Sequence, residues 1–435
     1  MDDSNNNWWK RSIQYSSRTD IGMRRSNNQD SHSVVPASSF RLWRTRGHLF
    51  VVADGMGAHA AGEFASQMAT ENIPQCYLKR TAEEPATAIR NSILEVHQQI
   101  KAKGASDDAF RDMGTTVDAL LLLPEGAVVG HVGDSRVYRL RDRVYEQLTF
   151  DHSLVWEVKR NKIFADRMPE YIPKNVITRS LGPTDNLEVD LEGPFPLKQG
   201  DQFLLCSDGL SGQITDDEMG QILEILSPDE ATETLINLAN LRGGPDNITV
   251  VVVKVIADPE QIKETSASET VYEEKKGVSR LSWSLFASSL VSLLVFLGGV
   301  AARGTSFFRE YPVFSVIFLI VFLVLLLLFI LSLFLGKRQK PNERVYTGPL
   351  GKGPYVRSKI VPNQAFFDNL HNITNQLCDA VRQQVIFNAD WQSIAKMQEQ
   401  ADSCIKTFNY TGAIRACVKI INYMMREIRN VSSQK

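Results

Sequence analysis

Short apolar runs separated by turn residues dominate the first 257 positions of the chain. They are rich in Val, Ile and Leu, a composition typical of β-strands. The predicted strands are Leu49–Ala53, Val117–Leu123, Ala127–Val132, Val137–Leu140, Phe203–Cys206 and Ile248–Val255. Longer amphipathic segments predict helices over Gly62–Tyr77, Pro85–Lys103, Asp217–Leu226 and Pro228–Arg242. Strands clustered at both ends, with helices between them, favour α+β layers over a regular βαβ series.

Two long apolar runs, 281–302 and 313–335, follow this first region. Each is long enough for a transmembrane helix, which needs about 20 apolar residues. Ser residues at four-residue spacing in the first run suit close packing against a second helix, and a soluble amphipathic helix is the alternative for that run. Basic residues flank the pair: Lys275, Lys276 and Arg280 before it, and Lys337, Arg338 and Lys340 after it. This distribution predicts a multi-pass inner-membrane protein with both ends in the cytoplasm.

The remaining boundaries follow from composition. Residues 11–257 are predicted to form one folded domain, and the polar segments 258–280 and 336–362 are predicted to be linkers. Residues 363–432 have apolar positions at helical spacing and predict a small helical C-terminal module. Two interpretations of that module stay open, namely binding of a partner and packing on itself or in a dimer.

Charge and cysteine content narrow the class of protein. The 435 residues carry a formal net charge of -2, which argues against a nucleic-acid binder. Five cysteines, an odd number without C-x-x-C spacing, indicate neither a disulfide framework nor a zinc site. The polar N-terminus has no apolar segment typical of a signal peptide, so the first domain is expected on the cytoplasmic side.

Carboxylates recur where predicted strands begin or end. Asp54 and Asp208 directly follow strands, Asp246 precedes one, and Asp134 lies between two apolar runs. Converging carboxylates repel one another unless cations neutralise them, and hard oxygen ligands select Mg²⁺ or Mn²⁺. A lone Asp-Gly is commonly only a turn, so the metal hypothesis depends on the whole set.

A basic segment, Thr19–Asp30, precedes these carboxylates and contains Arg24 and Arg25. Arginine presents a planar fork of donors that matches phosphate oxygens. Beside a metal site, such a residue would bind a phosphoryl group. A solvated surface charge is the alternative for an isolated arginine.

Together these segments resemble the PPM-type (protein phosphatase type 2C-like) family in its bacterial form. Seven motifs occur in the family's order: Thr19–Gly22 with Asn28–Asp30, Val52–Gly57, Met113–Thr116, Gly133–Arg136, Leu148–Thr149 with Asp151–Ser153, Ser207–Leu210, and Gly243–Asn247. The resemblance covers roughly residues 17–255. It implies an α+β fold, a β-sandwich of two antiparallel sheets flanked by helices, which the predicted transmembrane hairpin and helical module would follow.

The resemblance also implies roles for individual residues. Asp54 would bridge two Mn²⁺ or Mg²⁺ ions, the Gly55 carbonyl would bind the second ion, and Asp208 and Asp246 would complete the first. The remaining roles are a phosphate-binding Arg25, a metal-bound water held by Asp30, and a third, looser ion at Asp134.

Four departures from the family pattern qualify these roles. Gln29 replaces a frequent Glu, and Gly212 replaces a frequent Asp that would help to hold the third ion. Met56 occupies the place of a His proposed as general acid in eukaryotic members. His59 is a nearby alternative proton donor, or simply a histidine in a turn.

The resulting functional hypothesis is a membrane-anchored, metal-dependent serine/threonine phosphoprotein phosphatase. It would use a metal-activated water, oppose a serine/threonine kinase, act on phosphorylated proteins and contact the lipid bilayer, with no nucleic-acid partner. The alternative is a phosphatase-like membrane scaffold that binds phosphoproteins with little or no turnover.

Overall fold

A computed structural model of the chain describes residues 12–57, 60–160, 173, 176–257, 280–301, 312–335, 349–383 and 389–432. They belong to two compact units. One combines the residues up to 262 with those from 346 onward, and the other lies within 263–345. The C-terminal module is therefore part of the same unit as the first domain.

Two antiparallel sheets form the first unit. Their strands are β1 Ile13–Asp20, β2 Asp30–Val35, β3 His48–Met56, β4 Gly114–Thr115, β5 Val117–Leu123, β6 Gly126–Val132, β7 Arg136–Arg141, β8 Val144–Gln147, β9 Asp190–Phe195, β10 Gln202–Cys206, β11 Ile248–Val255 and β12 Val356–Lys359. One sheet has the order β1-β11-β10-β7-β8-β12, and the other has the order β2-β3-β5-β6-β9 with β4 paired to β3. The predicted sandwich of two antiparallel sheets is confirmed.

The helices are α1 Phe40–Arg46, α2 Ala61–Lys79, α3 Pro85–Ser106, α4 Leu154–Arg160, α5 Asp208–Ser211, α6 Asp216–Ile225 and α7 Pro228–Leu241 in the first domain, α8 Arg280–Ala301 and α9 Pro312–Leu335 in the second unit, and α10 Gln364–Arg382, α11 Trp391–Lys406 and α12 Tyr410–Ser432 in the C-terminal module. Helices α2 and α3 pack on the outer face of one sheet, and α6 and α7 pack on the outer face of the other. Helices α6 and α7 each begin with a capping box, from Thr215 and Ser227 respectively. Such caps satisfy the first free N–H groups and fix where a helix starts.

Strand β3 is apolar from Leu49 to Ala53 because both of its faces are buried. In β3, Phe50 and Val52 pack into the core between the two sheets. Val51 and Ala53 point the other way, into the layer that α2 and α3 cover. Side chains alternate across a strand, so burial on both faces removes the polar alternation of a half-exposed strand.

The prediction of two transmembrane helices is wrong. Within the described part of the chain, no helix combines the length and the apolar character that crossing a bilayer requires. The predicted hairpin over 281–302 and 313–335, and with it the multi-pass inner-membrane location, is therefore not supported.

Part of the segment predicted as a linker is ordered against the first domain. Strand β12 pairs with β8 at the edge of its sheet, with Val356 opposite Gln147. Residues 258–279 and 336–348 of the two predicted linkers lie outside the described residues. Pairing of β12 covers one side of β8, which would otherwise present unpaired backbone groups.

The C-terminal module shares one hydrophobic core with the outer helices of the first domain. The cluster contains Ile222 of α6 and Leu235 of α7 together with Leu370 of α10 and Ile414 of α12. Helices α10, α11 and α12 make up this part of the chain. Packing on the first domain is a third arrangement, beside the two that the sequence left open.

Ile360, directly after β12, anchors the module in this core. The side chain is fully buried, and a Cβ placed on Gly220 would lie 2.5 Å from Ile360 Cδ1. We expect Ile360→Ala to lower the free energy of unfolding by about 2–5 kcal/mol, because it leaves a cavity over a glycine that cannot fill it. Denaturant unfolding would measure the loss. Val361→Ala is the control, since Val361 is 49% exposed, and an equal loss for both variants would contradict this packing.

Candidate active site

Asp30 and Asp54 face each other on neighbouring strands. They are directly paired in the antiparallel register of β2 and β3. The Asp54 N–H donates to Thr116 Oγ1 over 2.9 Å, and the Thr116 N–H donates back to the Asp54 carbonyl over 2.9 Å. These bonds fix the depth at which the Asp54 carboxyl group leaves the sheet.

Gly55 lies at the closest approach of β3 to the start of α2. A Cβ at this position would lie 2.1 Å from the Gly62 carbonyl oxygen, so only glycine fits. Its N–H donates to the Gln29 carbonyl over 3.0 Å. The glycine predicted as a carbonyl ligand is thus held by backbone contacts on both sides.

Asp208 and Asp246 come from the other sheet. Asp208 begins α5 directly after β10, and Asp246 stands two residues before β11. A Cβ on Gly209 would lie 1.9 Å from the Asn247 carbonyl oxygen, so the two loops touch through backbone. Close approach of the loops brings the two carboxyl groups to the same end of the sandwich.

Asp134 lies in the connection from β6 to β7, which crosses from one sheet to the other. Gly133 before it has a φ of 117°, a left-handed conformation that favours glycine. The backbone N–H of Gly133 donates to the ring Nδ1 of His152 over 3.1 Å, and the backbone N–H of His152 donates to the Gly133 carbonyl over 2.7 Å. This pair of bonds holds the turn that presents Asp134.

The five carboxyl groups are close enough to perturb one another's ionisation. Burial raises the pKa of Asp54 well above its usual range, and the charges of Asp30, Asp208, Asp134 and Asp246 raise it further. Burial and neighbouring carboxylates also raise the pKa of Asp30 to about 7 and that of Asp134 to about 7. For Asp208 the pKa is raised by burial and then by Asp246. The structure therefore brings all five predicted acidic residues together.

Three oxygens of this group are candidate metal ligands. Asp30 Oδ1, Asp134 Oδ1 and Asp208 Oδ1 are buried and have no hydrogen-bond partner among the described residues. Buried oxygens without partners are costly, and a hard cation would satisfy them and offset the mutual repulsion. In the described residues no three Asp, Glu, His or Cys side chains are arranged as a ready cage for one ion. The fit to a divalent cation therefore rests on the chemistry of the donors and their electrostatics.

Arg25 lies at the rim of the acidic group. Its Nη2 donates to Asp246 Oδ2 over 2.8 Å, and the Arg25 side chain is 48% exposed. The predicted phosphate-binding residue is thus next to the carboxylates, with a side chain that solvent reaches. Gln29 Nε2 bonds the Gly57 carbonyl over 3.4 Å, so this departure from the family pattern lies at the edge of the same site.

The remaining departures from the family pattern are Gly212, Met56 and the nearby His59. Gly212 donates its N–H to the Asp208 carbonyl over 2.7 Å and contributes no carboxylate. Met56 ends β3 beside the site. His59, the alternative proton donor, lies outside the described residues.

Several residues that support the acidic group were not predicted as functional. Ser207 Oγ donates to Asp30 Oδ2 over 2.7 Å and accepts the Thr249 N–H over 3.0 Å. Asn247 Oδ1 accepts the Gln29 N–H over 2.8 Å. Both residues adjoin a predicted aspartate in the sequence, and that adjacency is the signal that could have pointed to them.

His152 has a defined protonation state. Nδ1 accepts from the Gly133 N–H, so Nε2 carries the ring proton and donates to Asp190 Oδ2 over 3.0 Å. Burial lowers the pKa of His152 to about 4. The neutral imidazole of His152 therefore bonds both Gly133, in the turn before Asp134, and Asp190, the first residue of β9.

Comparison with known proteins identifies the class. The family described as Protein phosphatase 2C matches residues 23–238. A putative protein phosphatase 2C-type of Streptococcus pyogenes is 40% identical over 247 residues, which are 55% of this chain and 97% of that protein. A serine/threonine phosphatase stp of Listeria monocytogenes is 37% identical over 243 residues, 54% of this chain and 94% of that protein. The solved structure of the S. agalactiae serine/threonine phosphatase has 35% identity, covers 56% of this chain and 99% of its own, and gives a TM-score of 0.49.

An antiparallel sandwich with acidic residues gathered at one end defines a phosphatase of this class. The chain belongs to the protein phosphatase 2C family. It is a serine/threonine protein phosphatase, as the resemblance of its motifs implies.

Proposed function

We propose that the chain hydrolyses phosphoserine and phosphothreonine in proteins with the help of two divalent cations, and that it opposes a serine/threonine kinase. The observation that carries the proposal is the convergence of the five carboxyl groups at one end of the sandwich. The pKa is raised in Asp30, Asp54, Asp134 and Asp208. Asp30, Asp134 and Asp208 each have a buried oxygen without a hydrogen-bond partner among the described residues. Like charges at such proximity call for cations. The oxygen-only donor set favours Mn²⁺ or Mg²⁺.

In this proposal Asp54, the Gly55 carbonyl, Asp208 and Asp246 hold the two cations, and Asp134 holds a third, looser one. When bound, such cations lower the pKa of water so that it can attack phosphorus near neutral pH. Ser207 donates to one oxygen of Asp30 and fixes the orientation of this carboxyl group. Its role is to orient a water by accepting a hydrogen bond.

Arg25 would bind the phosphoryl oxygens of the substrate. Its guanidinium has five donors in a fixed plane, and the bond to Asp246 holds it beside the acidic group. Positive charge at this point stabilises the oxygens on which charge accumulates during transfer. The same pair keeps Arg25 in place before the substrate arrives.

The full chain, assayed with a phosphothreonine peptide, tests the proposal. We expect phosphate release that requires Mn²⁺ or Mg²⁺ and stops with a chelator. Restoration of activity by added metal would exclude damage by the chelator. Equal turnover with and without the chelator would overturn the metal-dependent mechanism, and no turnover under any metal condition would favour a scaffold.

Substitution of Arg25 tests its role separately. We expect Arg25→Ala to lower kcat/KM for the peptide by about 100-fold, since it removes a charged contact to the transferring group. Arg25→Lys should recover part of the loss, because it keeps the charge and loses the planar fork.

Arg24→Ala is the matched control for Arg25. Arg24 is also exposed and lies one position earlier in the same turn. Steady-state kinetics of the two alanine variants should differ by at least tenfold in kcat/KM. A larger loss for Arg24→Ala would shift the phosphate-binding role to that residue.

A further inference from the structure

Helix α12 of the C-terminal module lies along α7, the helix that ends just before the Asp246 loop. Asn422 Nδ2 donates to Thr234 Oγ1 over 3.0 Å, and Asn237 Nδ2 donates to Asn422 Oδ1 over 2.9 Å. Both asparagines are buried. Buried polar groups need defined partners, so these bonds fix the register of α12 on α7.

Arg429 of α12 contacts both α7 and the last residue of β1. Its Nη2 donates to Asn237 Oδ1 over 2.6 Å and lies 3.8 Å from Asp20 Oδ2. Asp20 is the last residue of β1, and the turn that contains Arg25 begins directly after it. The family match ends at residue 238, so Arg429 belongs to a part of the chain outside it.

Asp20 connects the tail to the turn. Its Oδ1 accepts the Gly22 N–H over 2.9 Å and Asn240 Nδ2 over 3.0 Å. Its Oδ2 is the oxygen that Arg429 approaches. Oδ1 of Asp20 therefore stabilises the turn, and Oδ2 faces Arg429 of the C-terminal module.

The turn is joined to the loop that carries Asp246. Asn247 Nδ2 donates to the Ile21 carbonyl over 2.9 Å. A Cβ on Gly22 would lie 2.1 Å from the Asp246 carbonyl oxygen, so the two backbones are in direct contact. A displacement of the turn would thus move Arg25 relative to Asp246.

We infer that Arg429 is a positioning residue for phosphate binding: through Asp20 it holds the turn that presents Arg25 to the substrate. The inference rests on the proposed role of Arg25. Arg429 approaches Oδ2 of Asp20 and the turn bonds Oδ1, so Arg429 acts through that residue. The C-terminal module is accordingly coupled to the catalytic site by an ion pair as well as by its apolar packing.

The test compares steady-state kinetics of full-length variants on a phosphothreonine peptide with Mn²⁺. We expect Arg429→Ala to raise KM about threefold with kcat unchanged, the scale of a partly exposed ion pair. Arg429→Lys should restore much of the affinity, because it keeps the charge beside Asp20. Arg415→Ala is the matched control: Arg415 donates from the same helix to the Ile225 carbonyl and does not contact Asp20.

A double-mutant cycle separates positioning from general loosening of the tail. Asp20→Asn removes the ion pair from the turn side, keeps an oxygen for Gly22, and should raise KM to the same extent. The double variant should show no further increase, because residues that act through one contact are not additive. If Arg429→Ala melts below the assay temperature, Asp20→Asn supplies the same measurement.

Failure of the positioning role of Arg429 and failure of the proposed phosphatase activity would give different kinetic results. A wild-type KM in both Arg429→Ala and Asp20→Asn would overturn the positioning role and leave metal-dependent turnover intact. An equal rise in Arg415→Ala would overturn it as well, since docking alone would then explain the effect. Absence of turnover in the wild-type chain would instead count against the proposed function.

Discussion

Asp54→Asn is expected to lower kcat/KM for a phosphothreonine peptide by about 1000-fold, the upper range for loss of a group that stabilises the reacting charge. Asp54 is the carboxyl group that all four of its acidic neighbours affect. In the proposed site it would contact both cations, so one substitution weakens both. The asparagine has the same shape and can keep the backbone bonds with Thr116.

A second measurement on this variant does not depend on activity. Removing one of five crowded carboxyl groups relieves repulsion, because like charges in a buried site disfavour one another's ionised form. We therefore expect Asp54→Asn to melt in a chelator at a temperature no lower than the wild type does. Added Mn²⁺ should raise the wild-type melting temperature and raise that of the variant much less, since a ligand stabilises the folded state more when it binds more tightly.

Asp185→Asn provides the control for charge removal. Asp185 pairs with Lys101 on the surface, and its side chain is 87% exposed. Its activity and its stabilisation by Mn²⁺ should match those of the wild type. Wild-type turnover in Asp54→Asn, or the full stabilisation of this variant by Mn²⁺, would show that Asp54 is not a metal ligand.

The acidic group was predictable because strand ends mark it in the sequence. Asp54 follows the apolar run Leu49–Ala53 within β3, and Asp208 comes two residues after the apolar strand β10. A strand buried on both faces fixes the depth of the residues at its end. Asp30 was not marked in this way, since β2 is short and polar, and only the family resemblance singled it out. Its register opposite Asp54 is a property of the sheet that no local pattern records.

The edge of the sandwich was harder to predict than its centre. The predicted strands correspond to β3, β5, β6, β7, β10 and β11, whose faces are largely buried. Strand β1 was missed because the sequence Ile13–Asp20 alternates weakly and is partly exposed. Strand β12 was missed because it is only four residues long and exists through its pairing with β8.

The position of the tail could not be read from its periodicity. An apolar stripe along a helix shows that one face is buried and leaves the covering surface unspecified. The contacts that determine which surface the tail covers are polar pairs between residues far apart in the sequence, such as Arg426 with the buried Glu233 and Asn422 with Asn237. These residues are about 190 positions apart along the chain, and neither pair resembles a motif.

The first domain cut at residue 257 is expected to be much less stable than the full chain. Removal of residues 349–432 uncovers the outer faces of α6 and α7 and the edge of β8. Each buried aliphatic side chain contributes about 1.5–3 kcal/mol, and three such losses alone would lower the melting temperature by more than about 10 °C. Since domains of this size are stable by only about 5–15 kcal/mol, the fragment should also aggregate readily.

The matched control removes the middle of the chain and keeps the tail. A variant that joins residue 257 to residue 349 through a flexible Gly/Ser linker of about 20 residues lacks the second compact unit and can retain β12 and α10–α12. Its melting temperature, measured by circular dichroism, should stay within a few degrees of the full chain. A fragment of residues 1–257 that melted as high as this linked variant would show that the module covers the domain without stabilising it. The opposite result would mean that the catalytic half of this chain depends on its own tail for a complete core.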